Sequence, residues 1–480
     1  MGNLLASLLS SANALSAYNQ VLQVSQNNVA NVNTPGYAAE SQELYARPFD
    51  PETGTLGGVA AGVVVSSRNE FLEQDVRQQT TLEGEAQQNV NSLTSLQSCF
   101  NISEDAGIPS ALAGFFDAAS AWGQDPNDTV TRQTVIAQAQ NVAQAFQQTA
   151  TAVSQVDQDT ETQLQQTVDQ INSLVGQLQG YNKLIMAGAR NDAGISAQEN
   201  STLEQLSQYA DITTLQQSDG SVTVLLNGQT PLLVEDQQYS IGYKLEASDA
   251  ATYPGARPDA HIIASDGSDI TAQTTGGQLG SLLNIHNTVL ASFLGSGSQP
   301  GQLNSMAQQF ADCVNGLLTS GTISDGPPPV QGVPLFTYDT TNATNVAATL
   351  AVDPSVTPDQ LAATSPGPPY VSNGVPLAIS GMANPQSASD EIDGESYTAY
   401  YGNLAAQVGT QLSDAQNQLT VQQSTVAQAQ DLRQQAQGVD LDQEAATLIQ
   451  FQKAYEANSR MISVLDGLTE DLVNMLTPIT

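Results

Sequence analysis

Basic side chains are almost missing from this 480-residue sequence, where 11 Lys and Arg stand against 48 Asp and Glu for a formal net charge of −37. Only 12% of residues are charged at all, so the acidity comes from a scarcity of cations rather than an excess of carboxylates. No cluster of Lys or Arg occurs anywhere. That excludes nucleic acid and an anionic membrane surface as partners, because both demand a basic patch. Cysteine is scarce too: Cys99 and Cys313 lie far apart, so no disulfide framework stabilises the chain. Each reads as a small buried hydrophobe rather than a nucleophile. No run approaches the roughly 18 apolar residues of a membrane span. The opening Met1-Gly2-Asn3-Leu4 has no basic region, and the Leu-rich stretch behind it is broken by Ser10, Ser11 and Asn13, so no cleaved signal peptide is expected.

Signs of chemistry are equally sparse. His261 and His286 each stand without a Cys, His or acidic partner at ligand spacing and read as surface or packing residues. Lys183, Lys244 and Lys453 follow Asn, Tyr and Gln, so there is no Gly-Lys pair and no P-loop. Asp266-Gly267-Ser268-Asp269 and Asp390-Glu391-Ile392-Asp393-Gly394-Glu395 offer oxygen ligands but lack the twelve-residue calcium loop, and read as turns and an acidic helix start. No catalytic, cofactor-binding or metal-binding residue is assigned, and an enzyme is not expected.

What is present is helical patterning at both ends. The first charged residue is Glu40, and before it Leu8, Leu15, Leu22 and Val29 recur every seven residues. This is a coiled-coil seam whose outer face is built from Ser, Asn and Gln, so that face is expected to be covered by another subunit. Asn27, Asn28, Asn31 and Asn33 crowd one uncharged run and need partners if buried, which points to amides interlocking between subunits. The helix should stop near Asn31 to Thr34, since Pro35 cannot continue it and Gly36 suits the left-handed position of a type II turn. At the other end Leu441, Leu448, Tyr455 and Ile462 repeat every seven residues, joined by Phe451, Leu465 and Leu472. Such helices are marginal alone, so the two termini are expected to pair with each other and with neighbouring copies.

Between the ends the period changes twice. Residues 36 to 66 read as extended and irregular, a helix follows over about 69 to 100, and Asp125-Pro126 reads as a helix start. A long helix runs on through Val135, Val142, Phe146, Val153, Leu164, Ile171 and Leu178. After Asp211, Asp219-Gly220 and Asn227-Gly228 separate short β-branched runs, which marks hairpins in a β-rich domain reaching about Thr275. Helical spacing then returns at Leu279 to Phe293 and Leu303 to Leu317, with Gly295-Ser296-Gly297-Ser298 as a flexible joint. Residues 321 to 395, with Pro327-Pro328-Pro329, Pro366, Pro368 and Pro369, read as a loop-rich excursion with a few short strands. The last helical stretch starts near Ser396 and breaks at Gly438.

The expected fold is therefore α+β and mainly α. Residues 1–35 with 441–480 form a terminal coiled-coil rod, 36–205 with 276–320 and 396–440 a helical rod domain, 206–275 an inserted β-rich domain, and 321–395 an irregular Pro/Gly-rich excursion.

Two stretches carry a resemblance. Asn27-Asn28-Val29-Ala30-Asn31-Val32-Asn33-Thr34-Pro35-Gly36-Tyr37 resembles the N-terminal signature of the rod, hook and hook-associated axial proteins of the bacterial flagellum. The stretch from Leu441 through Glu444, Leu448, Phe451, Tyr455 and Asn458 to Arg460 is similar to their C-terminal signature. Thr34-Pro35-Gly36-Tyr37, Gly277 to Leu283 and the segment Asp125 to Arg132 are closest to the hook-associated branch. The family's usual Ser-Arg-Gln after the tyrosine is replaced by Ala38-Ala39-Glu40, so the contact of that basic residue is not carried over. The resemblance implies a structural subunit forming a ring with copies of itself between the hook protein and a filament-side hook-associated adapter. It also implies export through the flagellar type III channel to the cell exterior, with an export chaperone on the C-terminal helix. The axial-core interface would then comprise Leu8, Leu15, Leu22, Asn27, Asn28, Val29, Asn31, Leu448, Phe451, Tyr455, Asn458, Ile462 and Leu465, beside the turn Thr34 to Tyr37. A hook or distal rod protein shares the terminal motifs, but the long helical region at 125 to 180 argues against it. A hydrolytic or surface-binding activity in the insertions has no motif behind it.

Overall fold

A computed structural model describes residues 2–49, 57–100, 106–247, 252–253, 255–324, 328–367 and 369–476. Pro327 and Pro368 of the proline clusters lie outside the described residues. The chain opens with helix α1 (Gly2–Asn31), a hairpin of β1 (Glu40–Arg47) and β2 (Gly58–Ser66), and helices α2 (Glu70–Gln97), α3 (Gly107–Gln124), α4 (Thr129–Leu184) and α5 (Ala193–Tyr209). The stretch 36 to 66 is extended, as its sequence suggests, but part of it is regular: Val59, Val63, Val64 and Val65 supply a β-branched strand that pairs antiparallel with β1.

Strands β3 (Ile212–Gln216), β4 (Val222–Leu226), β5 (Thr230–Val234) and β6 (Gln237–Gln238) form an antiparallel meander, and β7 (Gly242–Glu246) pairs with β8 (Asp259–Ile263). The Asx-Gly turns have the backbone that fixes this hairpin register: Asn227 and Gly228 both take positive φ, at 48° and 70°. Then come α6 (Gly277–Asn284), a π-helical turn over Ile285–Leu290, α7 (Ala291–Leu294) and α8 (Gln302–Ser320). Small elements follow: β9 (Thr322–Ser324), β10 (Val330–Gln331), β11 (Phe336–Thr337), α9 (Val346–Thr349), β12 (Ala351–Val352) and α10 (Gly374–Gly381). Two long helices, α11 (Tyr397–Gln437) and α12 (Leu441–Leu476), close the chain.

Helix starts are set by polar caps. Asn69 accepts from the amides of Phe71 and Leu72, Asp128 from Val130 and Thr131, Asp192 from Ile195, and Ser396 from Ala399. The long helix thus begins at Asp128, not at Asp125-Pro126. Asp125 ends α3 instead, and the Pro126 carbonyl accepts from Arg132 and from the Trp122 indole, which closes the α3–α4 corner.

Among the described residues two apolar cores result. The larger joins α3, α4, α8, α10 and α11 around Phe115, Phe310, Phe336 and Tyr397, whose rings meet edge to face at 5.4–6.0 Å. The segment 321–395 contributes fully buried Leu335, Leu350, Leu361 and Ile379 to that core, so its prolines punctuate a packed wall. Gly295-Ser296-Gly297-Ser298 is likewise a tight bend and not a flexible joint. Gly295 takes φ 95°, and a Cβ there would meet the Pro300 carbonyl oxygen at 2.5 Å. The second core lies between the distal half of α4, α5, α6 and the inserted strands.

Candidate functional site

Helices α1 and α12 lie antiparallel. Asn458 donates to the Ser11 carbonyl at 3.1 Å, the Tyr18 and Phe451 rings sit 5.9 Å apart, and Ser25 donates to a Glu444 carboxylate oxygen. Ser11, Tyr18 and Ser25 are seven residues apart, as are Glu444, Phe451 and Asn458. The seam is therefore a heptad seam, but a polar and small-residue one, with Ala14, Val21, Thr447 and Ala454 in the intervening layers.

The large apolar heptads read from the sequence fall four positions past those seam residues. Leu15, Leu22 and Val29 follow Ser11, Tyr18 and Ser25, and Leu448, Tyr455 and Ile462 follow Glu444, Phe451 and Asn458. In an antiparallel pair these flanking positions line the same side. They are only partly covered: Leu8, Leu15, Leu22, Leu448 and Ile462 are half-buried, while Val29, Tyr455 and Leu441 are 36%, 40% and 50% exposed. Phe451 and Asn458 are half-buried against α1, and Leu465 is half-buried. The opposite flank of α1 is closed by the β1–β2 hairpin, where Ser10 donates to the Gly57 carbonyl at 3.0 Å and Ala17 is buried.

Asn28 is the best-connected amide of the N-terminal run and is 1% exposed. Its Nδ2 donates to Glu444 Oε1 at 2.6 Å and to the Glu40 carbonyl at 2.8 Å. Its Oδ1 accepts from the Tyr37 hydroxyl at 2.8 Å and the Glu40 amide at 2.9 Å. All four contacts are made within the protomer. Burial, with Glu40 and Glu444 close by, pushes the Tyr37 phenol up to about 12, which keeps it a donor. Asn27 and Asn31 bond to one another on an exposed face, and Asn33 is exposed.

Thr34 to Tyr37 make a tight turn, with the Tyr37 amide donating to the Thr34 carbonyl at 3.1 Å and Gly36 at φ 74°. Gly36 is required twice over, because a Cβ would stand 2.3 Å from the Ala197 carbonyl oxygen of α5.

Around this turn lies a charged knot that sequence reasoning missed. Glu73 is 1% exposed and bonded to Arg68, to Arg433 at 3.1 Å and to Gln437 Nε2 at 2.6 Å. Arg68 also donates to the Gly36 carbonyl at 2.7 Å, and Arg433 reaches Glu204 at 2.7 Å. The Gln437 carbonyl accepts from the Ala39 amide at 2.9 Å and from the Ser67 hydroxyl at 3.1 Å. The knot ties the terminal pair to α2, α5 and α11. Its signal in the sequence was available, since Arg68 and Arg433 are two of only 11 basic residues and a buried guanidinium needs a carboxylate.

The thiols are poorly suited to nucleophilic chemistry. Burial pushes the Cys99 thiol up, and burial beside Asp390 carries Cys313 to about 11. The Asp266 and Asp390 stretches form turns: Asp266 accepts from the Ser268 amide at 2.9 Å, and Ile392 bridges to Glu395. The histidines are not alone, because the fold supplies partners that linear spacing hides. His261 Nδ1 lies 2.7 Å from Asp269, and buried His286 Nε2 lies 3.5 Å from both Asp157 and Glu161 of α4. Among the described residues, Asp157, Glu161 and His286 are the one group arranged to hold a metal ion.

The chain matches two family models. That of the flagellar hook-associated protein FlgK helical domain covers residues 93–336, and that of the flagellar basal body rod FlgEFG protein C-terminal region covers 434–475. It is 26% identical to flagellar hook-associated protein 1 of Bacillus subtilis strain 168, over 96% of each chain. It is 21% identical to flagellar hook-associated protein 1 of Escherichia coli strain K12, over 99% of this chain and all of that one. A solved structure of the flagellar hook junction protein FlgK from Burkholderia pseudomallei superposes with a TM-score of 0.61 at 16% identity, over 75% of this chain and 99% of that one.

Proposed function

We propose that this chain, which belongs to the flagellar hook-associated protein family defined by the FlgK helical domain, is a structural subunit that joins hook to filament and assembles through its terminal helices. One observation carries the reading: the apolar flank formed by Leu8, Leu15, Leu22 and Val29 with Leu441, Leu448, Tyr455 and Ile462 is not used up by the α1–α12 seam. Neighbouring copies bury that flank in a ring, in contact with hook protein on one side and a filament-side adapter on the other. Asn27, Asn31 and the turn Thr34 to Tyr37 lie beside it and complete the axial contact.

The subunit leaves the cell through the flagellar type III channel, with an export chaperone shielding α12. Two helices of small buried area, and no disulfides to undo, support passage in unfolded form. The role is scaffolding, and no catalytic function is assigned. A hook or distal rod protein shares the C-terminal match at 434–475, but the match across 93–336 favours the hook-associated branch.

The test is the paired substitution Val29→Asp with Tyr455→Asp. Both sites are exposed in the protomer, so unfolding free energy should shift by no more than about 1 kcal/mol. Cells carrying it should build hooks, shed filament subunits into the medium and lose motility. Normal filaments would contradict the axial interface, and missing hooks would favour the hook or rod reading.

A further inference from the structure

His286 sits in the π-helical turn between α6 and α7 and is wholly buried. Its surroundings fix the ring. Asn287 is locked by two bonds to Ala260, Oδ1 accepting from the Ala260 amide at 2.8 Å and Nδ2 donating to its carbonyl at 2.8 Å. The same Oδ1 lies 2.8 Å from His286 Nδ1, so Nδ1 carries the hydrogen and Nε2 points the other way. There it meets Asp157 Oδ1 and Glu161 Oε1, each at 3.5 Å.

A bare lone pair facing two carboxylates is repulsive, so a positive centre belongs between the three atoms. A proton fits the distances poorly, because a charge-assisted hydrogen bond contracts to about 2.7–2.9 Å. A tetrahedral cation fits them well. Imidazole nitrogen and carboxylate oxygen bind zinc at about 2.0–2.1 Å, which sets neighbouring ligand atoms about 3.3–3.4 Å apart.

We propose that Asp157, Glu161 and His286 form a binding site for one divalent transition-metal ion of the zinc class, at the seam between α4, the π-helical turn and the inserted β domain. Three further features build the site. Asp157 and Glu161 stand one turn apart on α4 and present their oxygens together, all three ligand atoms lying within 4.8 Å of one another. Arg257 grips Asp157 with two bonds, Nε to Oδ2 at 3.0 Å and NH2 to Oδ1 at 2.6 Å, and donates to the His286 carbonyl at 2.9 Å. It orients two ligands at once, as outer-shell groups do. The Tyr243 hydroxyl of β7 is buried near Glu161 and Asp157, with no hydrogen-bond partner among the described residues. It stands as a candidate for the fourth position, shared with solvent. Imidazole with carboxylates suits zinc, cobalt or nickel better than magnesium or calcium. One of the two carboxylate charges is already balanced by Arg257, so affinity is expected to be moderate.

The chain has two histidines and two cysteines in all, which makes the experiment clean. Full-length protein stripped with chelator is titrated with zinc by calorimetry, with metal analysis after gel filtration and thermal melts with and without the ion. The parent and His261→Gln should each take one ion per chain and melt higher with zinc. Glu161→Gln, at a quarter-exposed position, should bind at least tenfold more weakly and lose the melting shift, and His286→Gln should do the same. No saturable binding by the stripped parent, or equal binding by Glu161→Gln, overturns the site and leaves a protonated imidazole between the carboxylates.

Discussion

Glu199 on α5 is a carboxylate in an unlikely place, 6% exposed beside Arg68, Arg77 and Glu70, with Oε1 lacking a hydrogen-bond partner among the described residues. Burial raises its titration to about 7, Arg68 and Arg77 pull it down, and Glu70 pushes it up. The unfolded chain titrates near 4.5. Between those values the folded protein holds a proton that the unfolded chain has released, so the stability contributed is complete below 4.5 and disappears as pH rises through about 7. Glu199→Gln should therefore gain on the parent from pH 5 to pH 8, by up to roughly 3 kcal/mol. Urea midpoints at the two pH values measure this, and identical pH profiles for both proteins would refute it. Single residues differ in how legible they are. Gly36 was readable, since a Pro-Gly pair states its own turn. Asn28 was readable as an amide in need of partners, though not the identity of those partners. Glu199 was invisible, because its burial depends on the remote turn at Gly36 packing on α5.

Among elements, α4 does more than fill a core. Asn172 bonds both the amide and the carbonyl of Ile241, and Gln238 bonds the Asn172 carbonyl. Asn182, wholly buried, donates to the carbonyls of Val222 and Glu235 and accepts from the Val222 amide at 2.9 Å. These amides bolt the β3–β6 meander onto one face of the helix. Asn182→Leu keeps the volume but strands three backbone groups, which should cost roughly 2–4 kcal/mol. Hydrogen exchange in β4 should accelerate while α8 amides keep their protection. Unchanged exchange in β4 would mean the apolar core alone holds the sheet. The strands themselves were legible from their Asx-Gly turns, and α4 from its alternating three-and-four spacing. The Pro-rich segment and the Gly-Ser bend were not, because proline and glycine announce turns without saying whether the turn is packed. The terminal heptads were legible as apolar stripes, but not the polar seam that lies beside them. Periodicity locates the largest apolar stripe, whereas the α1–α12 seam uses Ser11, Ser25, Asn28 and Glu444.

At the scale of the molecule the burial is uneven. The cores around Phe115 and Phe310 and beneath the meander contain many fully buried side chains. Among the described side chains, α1 buries only Ser11, Ala17, Val21, Ser25 and Asn28, and every α12 side chain from Leu441 to Met475 is at least partly exposed. Since apolar burial contributes about 25 cal/mol per Å², the terminal pair is held far more weakly than the helical body. Its anchor is polar, the Asn28–Glu444 contact on one side and the Glu73–Gln437 knot on the other. The dilute protomer should thus open in two steps, with α1 and α12 separating well before the core unfolds. Amides of both helices should exchange within minutes, while those of α3, α8 and the middle of α4 exchange only by global unfolding. Copies assembled side by side should slow α1 and α12 selectively, because the flank of Leu15, Leu22, Leu448 and Tyr455 then leaves water. Salt should favour that assembly, since a subunit of net charge −37 repels its neighbours and ions screen the repulsion over about 10 Å at 0.1 M. If α1 and α12 in the dilute protomer match α8 in protection, the terminal pair is a finished domain, and the half-exposed flank needs no second copy to explain it.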